Sequence, residues 1–489
     1  MRRWMIDGLY KRGGEESGDA QNSPRISFHF ISFHFKTEMR MGMERLLMVW
    51  SIVMQLIYAS LTDVYALNDE GLALIACKKT LIDPDNVLSS WYDDKKAPNP
   101  CSWRFVECNT DGNVTQLSLN GTGINGSIPL ELGKLANLVM LELSHNNLTG
   151  SIPKELGNLP KLEHLGLNDN KINGPIPHEL GKLANLVLLK LDGNRLTGSI
   201  PAELAMLSKL QNMGLGDNML SGSIPYELGR LVNLLILELG DNKLSGTIPK
   251  ELAMLSKLQN LDLGMNSLSG PVIPHLGNLT NLQYLGLHIN SISGTIPLEL
   301  GKLVNLVRLE LEGNSLTGSI PEELGKLSKL QFIDLGSNQL SGQLVPHLGN
   351  LTELQDLELY RNQLNGPIPR ELGKLANLWA LDMSENNLNG SIPEELSKLS
   401  QLERLFLGMN QLSGELVPNL GNLTNMHYME LNNNHLSGSI PKELGLLPNL
   451  TSLDLSENNF TGCVPPELAH IAVVDLGNNS GLTGNCTSI

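Results

Sequence analysis

Along most of the chain, leucines stand two apart with polar residues between them, and every 24 positions the pattern closes on an asparagine. That asparagine recurs at 146, 170, 194, 218, 242, 266, 290, 314, 338, 362, 386, 410, 434 and 458, fourteen times without a slip. One period reads Leu138-Val-Met-Leu141-Glu-Leu143-Ser-His-Asn146-Asn-Leu148-Thr-Gly150-Ser-Ile152-Pro153. Residues two apart on an extended strand share a face, so Leu141 and Leu143 point into a core while Met140 and Glu142 face solvent. The asparagine turns the chain out of the strand, and its amide can bond backbone groups of the turn and of the next coil, each bond worth about 1 kcal/mol net when buried. Gly150 and its equivalents supply turn conformations, Pro153 and its equivalents start a returning segment, and Glu-Leu-Gly-Lys-Leu crosses the far side. The pattern predicts an α/β solenoid of about sixteen 24-residue coils, with a parallel β-sheet on its concave face and irregular or 3-10 segments on its convex face. Strands stacked about 4.8 Å apart make an arc on the order of 75 Å along that sheet.

The outer units depart from the pattern. Residues 114–129 carry Thr122 where the asparagine belongs, and residues 473–484 are shortened, as expected of coils that must cover exposed leucines at the ends of a stack. A second period of 72 links the stretches beginning Gly270-Pro-Val-Ile-Pro, Gly342-Gln-Leu-Val-Pro and Gly414-Glu-Leu-Val-Pro, so three-coil blocks have been duplicated and likeness within them reports ancestry. The resulting division is a non-native or disordered leader at 1–38, a signal peptide at 39–66, an N-terminal cap at 67–113, repeats at 114–478 and a C-terminal cap at 479–489.

Composition narrows the class. Aromatic residues make up only 4% of the chain, which suits one small buried unit copied many times. The net charge of -16 and the lack of a basic stripe argue against a nucleic-acid partner. All five cysteines lie near the two ends of the repeat region. Cys101 and Cys108, seven apart, read as a local disulfide of an oxidising compartment, and Cys463 and Cys486 as a second pair. Cys77 is left over as a buried thiol in a short helix. No His or further cysteine pair accompanies Cys101 and Cys108, so a metal is not expected.

The apolar stretch 46–61 follows Arg40 and Arg45 and precedes Val64-Tyr65-Ala66, as a signal peptide would, and is short for a bilayer span. The piece before it, with its tandem Ile-Ser-Phe-His-Phe at 26 and 31, neither continues the repeat nor resembles the n-region of a signal peptide, which points to a start at Met39, Met41 or Met43. Asn-x-Ser/Thr acceptors at Asn113, Asn120, Asn125, Asn147, Asn278, Asn350, Asn389, Asn422, Asn449, Asn459, Asn478 and Asn485 fit a secretory route, although the repeat consensus itself generates several. No apolar segment of membrane-spanning length follows the last repeat, so a mature chain without a span is expected.

The unit L-x-x-L-x-L-x-x-N-x-L-x-G-x-(I/V)-P is the leucine-rich-repeat signature, and its Gly-x-Ile-Pro extension resembles the plant-specific class found in receptor kinases, receptor-like proteins and polygalacturonase inhibitors. Ala66-Leu-Asn-Asp-Glu-Gly-Leu-Ala-Leu, Asp83-Pro-Asp-Asn-Val-Leu-Ser-Ser-Trp91 and Asn99-Pro-Cys101-Ser-Trp103 resemble the N-terminal cap of somatic-embryogenesis receptor kinases. The resemblance spans 67 to about 485 and implies a leucine-rich-repeat superhelix that recognises a partner on its concave face outside the cell. The transmembrane and kinase parts of such receptors have no counterpart here, and those co-receptors resemble much shorter arcs.

Chemical motifs give little. Gly121-Thr-Gly123-Ile-Asn-Gly126 matches a dinucleotide fingerprint, but Gly126 is the repeat glycine one period before Gly150 and no βαβ unit follows. The eleven histidines are scattered, kinase signatures are absent, and neither an enzyme nor a cofactor is expected. The outward strand positions say more. Four residues before the repeat asparagine stand Glu142, Glu238, Asp262, Glu310, Asp334, Glu358, Asp382, Glu430 and Asp454, a negative stripe read either as solvation or as a face for a basic partner. Six of the eight aromatic rings in the coils, Tyr284, Phe332, Tyr360, Trp379, Phe406 and Tyr428, fall on concave positions of the second half. With His288, Arg361, Arg404 and His427 beside them they form the candidate partner-binding patch. The expectation is a secreted protein of the apoplast or cell wall, or one held at the cell surface through a partner, that binds a protein or peptide such as a receptor-kinase ectodomain in signalling or defence. An inhibitor of a microbial wall-degrading hydrolase and the ectodomain of a truncated receptor are the alternatives.

Overall fold

The computed structural model describes residues 48–55, 69–92 and 100–486. The chain divides into two compact units, 1–66 and 67–489. Residues 48–55 of the first unit are helical, and the rest of the leader and signal-peptide expectation lies outside the described residues. Among the described residues no helix is long and apolar enough to cross a membrane.

In the second unit, sixteen parallel strands run consecutively from Val114–Ser118 to Val473–Asp475. Each strand pairs with its equivalent one period on: Tyr284 faces Arg308, Leu285 faces Leu309 and Gly286 faces Glu310. The register is fixed by burial, because a one-residue slip would turn Leu285, Leu309 and Ile333, all 0% exposed, out to solvent. The convex side carries fifteen 3-10 segments from Leu130–Lys134 to Pro466–His470, most of them entered through an extended proline. This is the leucine-rich-repeat solenoid that the period implies.

One feature goes beyond that reading. The stretch after each asparagine, read from sequence as a turn, pairs along the flank into a sheet of fourteen strands from Asn173–Pro175 to Gly481–Asn485. Its strands hold only three to six residues, too few for alternation to announce them.

The ends are closed by different means. In the N-terminal cap, the helical residues 69–80 pack Leu74 and Cys77 against Trp91, which stacks on Trp103 at 5.7 Å. Lys78 Nζ donates to the carbonyls of Leu88 (2.6 Å) and Trp91 (2.8 Å), and buried Glu70 accepts from the N–H of Val114, so the cap fastens the first coil through polar groups. Val106–Cys108 and Leu81–Ile82 lie antiparallel to the first coil and cover sheet edges that would otherwise present unpaired backbone. Disulfides join Cys101 to Cys108 and Cys463 to Cys486, while Cys77 is free and buried, its thiol pushed up to about 12 mainly by desolvation.

Asparagine joins coil to coil. Asn338 Nδ2 donates to Leu335 O (3.2 Å) and Gly336 O (3.0 Å) of its own turn and to Leu311 O (3.0 Å) of the preceding coil, while its Oδ1 accepts from Leu316 N (2.9 Å) of that coil. The same four bonds recur along the stack. At the front Thr122 substitutes by bonding Leu119 O through its hydroxyl. At the back the shortened coil brings Asn479 into the ladder, where it bonds Leu455 O, Leu476 O and Gly477 O and accepts from Phe460 N, so the asparagine series extends one coil beyond Asn458. Replacing Asn338 with Ala should therefore cost about 2–4 kcal/mol in urea unfolding, and amide exchange should rise in the two coils it joins. A loss below about 0.5 kcal/mol would show that the ladder is not what holds the stack.

Candidate ligand-binding site

Each concave strand presents two side chains, and the 24-residue register stacks them into columns. One column runs Tyr284, Arg308, Phe332, Asp356, Ala380, Arg404, Tyr428. Beside it run Gly286, Glu310, Asp334, Glu358, Asp382, Phe406, Glu430. Trp379 and His427 stand one residue before the first column. His288 and Tyr360 stand at the turn, two residues before the asparagine.

None of the six candidate rings belongs to the core. Five are half-buried and Tyr428 is 46% exposed. They are nonetheless packed. A Cβ on Gly336 would come within 2.3 Å of the Tyr360 ring, and one on Gly264 within 2.2 Å of His288, so each ring lies over the bare backbone of the preceding coil. The Arg404 guanidinium lies 5.6 Å from the Trp379 ring centre and 5.3 Å from that of Phe406, and the His427 ring is 6.4 Å from that of Tyr428. Arg404 pairs with Tyr428 across adjacent strands, which sets the two groups side by side as one cluster of five residues. Arg361 sits apart: it occupies the left-handed turn position (φ 52°) and its Nε bonds Glu385 at 2.8 Å.

A second cluster centres on two residues outside the candidate patch. Arg308 stacks 3.9 Å above Phe332 and pairs with Glu310, which also accepts from Tyr284 Oη at 2.6 Å and lies 3.3 Å from His288 Nδ1. Arg308 shares a column with Tyr284, Phe332 and Arg404, a signal available from the period alone.

Stacking like charges has a cost that the acidic column shows. Burial pushes Asp334 up to about 7, with Glu312 and Asp356 adding to the effect, although the Gly336 N–H donates to it at 2.9 Å. Burial and then Asp356 and Asp382 push Glu358 up to about 8, and Asp382 and Glu430 are raised mainly by burial. Glu310 goes the other way. Burial alone would raise it, but the imidazole of His288 3.3 Å away and hydrogen bonds from Tyr284 and Arg308 hold it at about 2. Within the same cluster, His288 is raised first by its bond to Glu310.

A long parallel sheet with rings and arginines grouped on one face, closed by disulfide-bonded caps, is the architecture of a receptor-ectodomain-like leucine-rich-repeat solenoid. The chain belongs to the leucine-rich-repeat family, with a fold like that of plant receptor ectodomains. The "Leucine rich repeat N-terminal domain" family matches residues 67–109, the "Leucine rich repeat" family 112–172, and the "Leucine-rich repeat region" family 261–413 and 333–462. Leucine-rich repeat protein 1 of Arabidopsis thaliana is 46% identical over 90 residues, which is 17% of this chain and 40% of that protein, so the match spans well under half of the relative. Among solved structures, PEPR1 with AtPEP1 is similar at TM-score 0.76 and 35% identity, over 84% of this chain and 62% of that one. The plant peptide hormone receptor RGFR1 in complex with RGF2 is similar at TM-score 0.61 and 34% identity, over 78% of this chain and 75% of that one.

The raised carboxyls fix a pH response. A carboxyl whose pKa is higher in the folded chain adds no penalty below the ordinary carboxylate range, and its penalty grows until pH passes the folded value. Glu310 contributes in the opposite sense, losing its support only as pH falls from the ordinary range towards 2. Melting temperature should thus decline from about pH 5 to about pH 8, and Asp334→Asn with Glu358→Gln should flatten the decline in calorimetry. An unchanged slope in that variant would show that these carboxyls do not carry it.

Proposed function

We propose that this is a secreted recognition protein that binds a peptide or protein partner on its concave face, between Tyr284 and Glu430, in cell-surface signalling or defence. The observation that carries the reading is the Trp379–Arg404–Phe406–His427–Tyr428 cluster, three half-buried rings, the exposed Tyr428 ring and a guanidinium grouped outside the core. Such rings are ordered before a partner arrives, so little freedom is lost on binding, and Trp, Tyr and Arg dominate the energy of interfaces. Tyr284, His288, Phe332, Tyr360 and Arg361 extend the surface over neighbouring coils.

Two further observations support it. One of the structures described above is named as a plant peptide hormone receptor in complex with RGF2, and both are similar to this chain over most of its length. Between Tyr284 and Glu430 the acceptor asparagines Asn350 and Asn422 end convex 3-10 segments and Asn389 lies on the flank sheet, so glycans carried there would leave the concave face clear.

The test is affinity capture from extracellular fluid and membrane extract with the secreted chain, compared with a Phe406→Ala, Tyr428→Ala variant. The expected outcome is a partner held by the unaltered chain and bound on the order of 100-fold more weakly by the variant, as the loss of two hot-spot residues implies. Undiminished binding would move the site elsewhere, and capture of a pectin-degrading hydrolase would make the protein an inhibitor.

A further inference from the structure

The columns place four carboxylates, Asp334, Asp356, Glu358 and Asp382, on three adjacent strands at the centre of the proposed face. None takes part in an ion pair among the described residues. Asp334 and Asp382 accept from the N–H groups of Gly336 and Ser384. Asp356 differs. It is only 6% exposed, and no donor among the described residues reaches its Oδ1. Its carboxyl group instead meets that of Glu358, two residues on and half-exposed.

Two carboxyls in contact, one of them sealed from water, share a proton when nothing else is present. The nearest basic side chains are committed elsewhere. In the Asp356 column, Arg308 and Arg404 each stand two strands away, about 10 Å along the sheet, one held by Phe332 and Glu310 and the other by Trp379 and Phe406. Carboxyl groups are thus concentrated between two ring-and-guanidinium clusters; Arg404 and Arg308 act on Asp356 through space, but among the described residues no basic side chain forms an ion pair with Asp356 or Glu358.

We propose that the Asp356–Glu358 pair is a subsite for one basic side chain, lysine or arginine, of the partner. This deepens and rests on the concave-face reading above. The ammonium or guanidinium meets Glu358 at the accessible rim with Asp356 beneath it, and the aliphatic stem lies against Phe332 and the rings around Arg404. The shared proton leaves as the cation enters. A bare metal ion fits less well, because among the described residues no group of three His, Cys, Asp or Glu side chains has metal-binding geometry.

The probes are N-acetyl-arginine methylamide, N-acetyl-lysine methylamide and the neutral citrulline derivative, observed by saturation-transfer NMR on the glycosylated chain. The arginine and lysine probes should be retained at least tenfold better than citrulline. Asp356→Asn with Glu358→Gln should abolish the preference, and so should Glu358→Lys, which places a cation of the protein's own in the pair. Asp192→Asn, on a distant coil, should preserve it. No preference in the unaltered chain, or one that survives either variant of the pair, overturns the subsite. The captured partner separates the two levels of the argument. If Phe406→Ala with Tyr428→Ala loses it but Asp356→Asn with Glu358→Gln binds it as tightly as the unaltered chain, the cation subsite fails while concave-face recognition stands. If every variant binds it fully, both fail.

Discussion

A strand of three residues cannot satisfy its own backbone, and the turn that leaves it strands further carbonyls; in this chain one asparagine amide per coil, buried or half-buried, answers both needs. Asn338 shows why the residue must be asparagine. Its Nδ2 serves three carbonyls and its Oδ1 one N–H, and the partners are split between two successive coils. Aspartate has no donor, and serine or threonine has one hydroxyl, so neither can make the set. Thr122 can stand in at the first coil because only one neighbouring coil lies beyond it in the stack. Every other regularity, the leucines of the core and the register of both sheets included, presupposes that this amide returns at the same place.

The same regularity dictates the electrostatics of the concave face. A period that aligns leucine with leucine also aligns acid with acid, at the spacing of adjacent strands. The chain relieves the repulsion in different ways at different coils. Glu310 is surrounded by three donors, Asp382 is held by the backbone and hydroxyl of Ser384, and Asp356 and Glu358 lean on each other. Rings face an analogous crowding, and Tyr360 avoids it because its neighbour in the column is Gly336. Local character on an otherwise uniform face thus comes from which residue stands one period away.

That dependence explains what the sequence made legible and what it did not. The solenoid, its sixteen coils, the placement of the rings outside the core and both cysteine pairings follow from period, alternation and spacing. The flank sheet does not, because a three-residue strand such as Asn173–Pro175 carries no readable alternation. Asn479 was obscured because its coil is shorter than the period. Arg308 and Glu310 were legible in position but not in role: a search for rings passes over a guanidinium whose importance arises from its stacking on Phe332. The burial of Asp356 is a three-dimensional outcome, set by the side chains of neighbouring coils, and no pattern along one coil contains it.

The duplication of three-coil blocks has a further meaning in such a lattice. Because each coil bonds only the coils beside it, whole blocks can be inserted or removed between the two caps without altering the joints they leave behind. A change of length then acts as a ruler rather than as damage. Each added coil moves the Tyr284 and Tyr428 clusters apart, or shifts them together, by one strand spacing, about 4.8 Å, while leaving the contacts within each cluster untouched. Spacing and chemistry are thereby inherited separately, so a lineage can change the separation of the two clusters without altering the contacts within either.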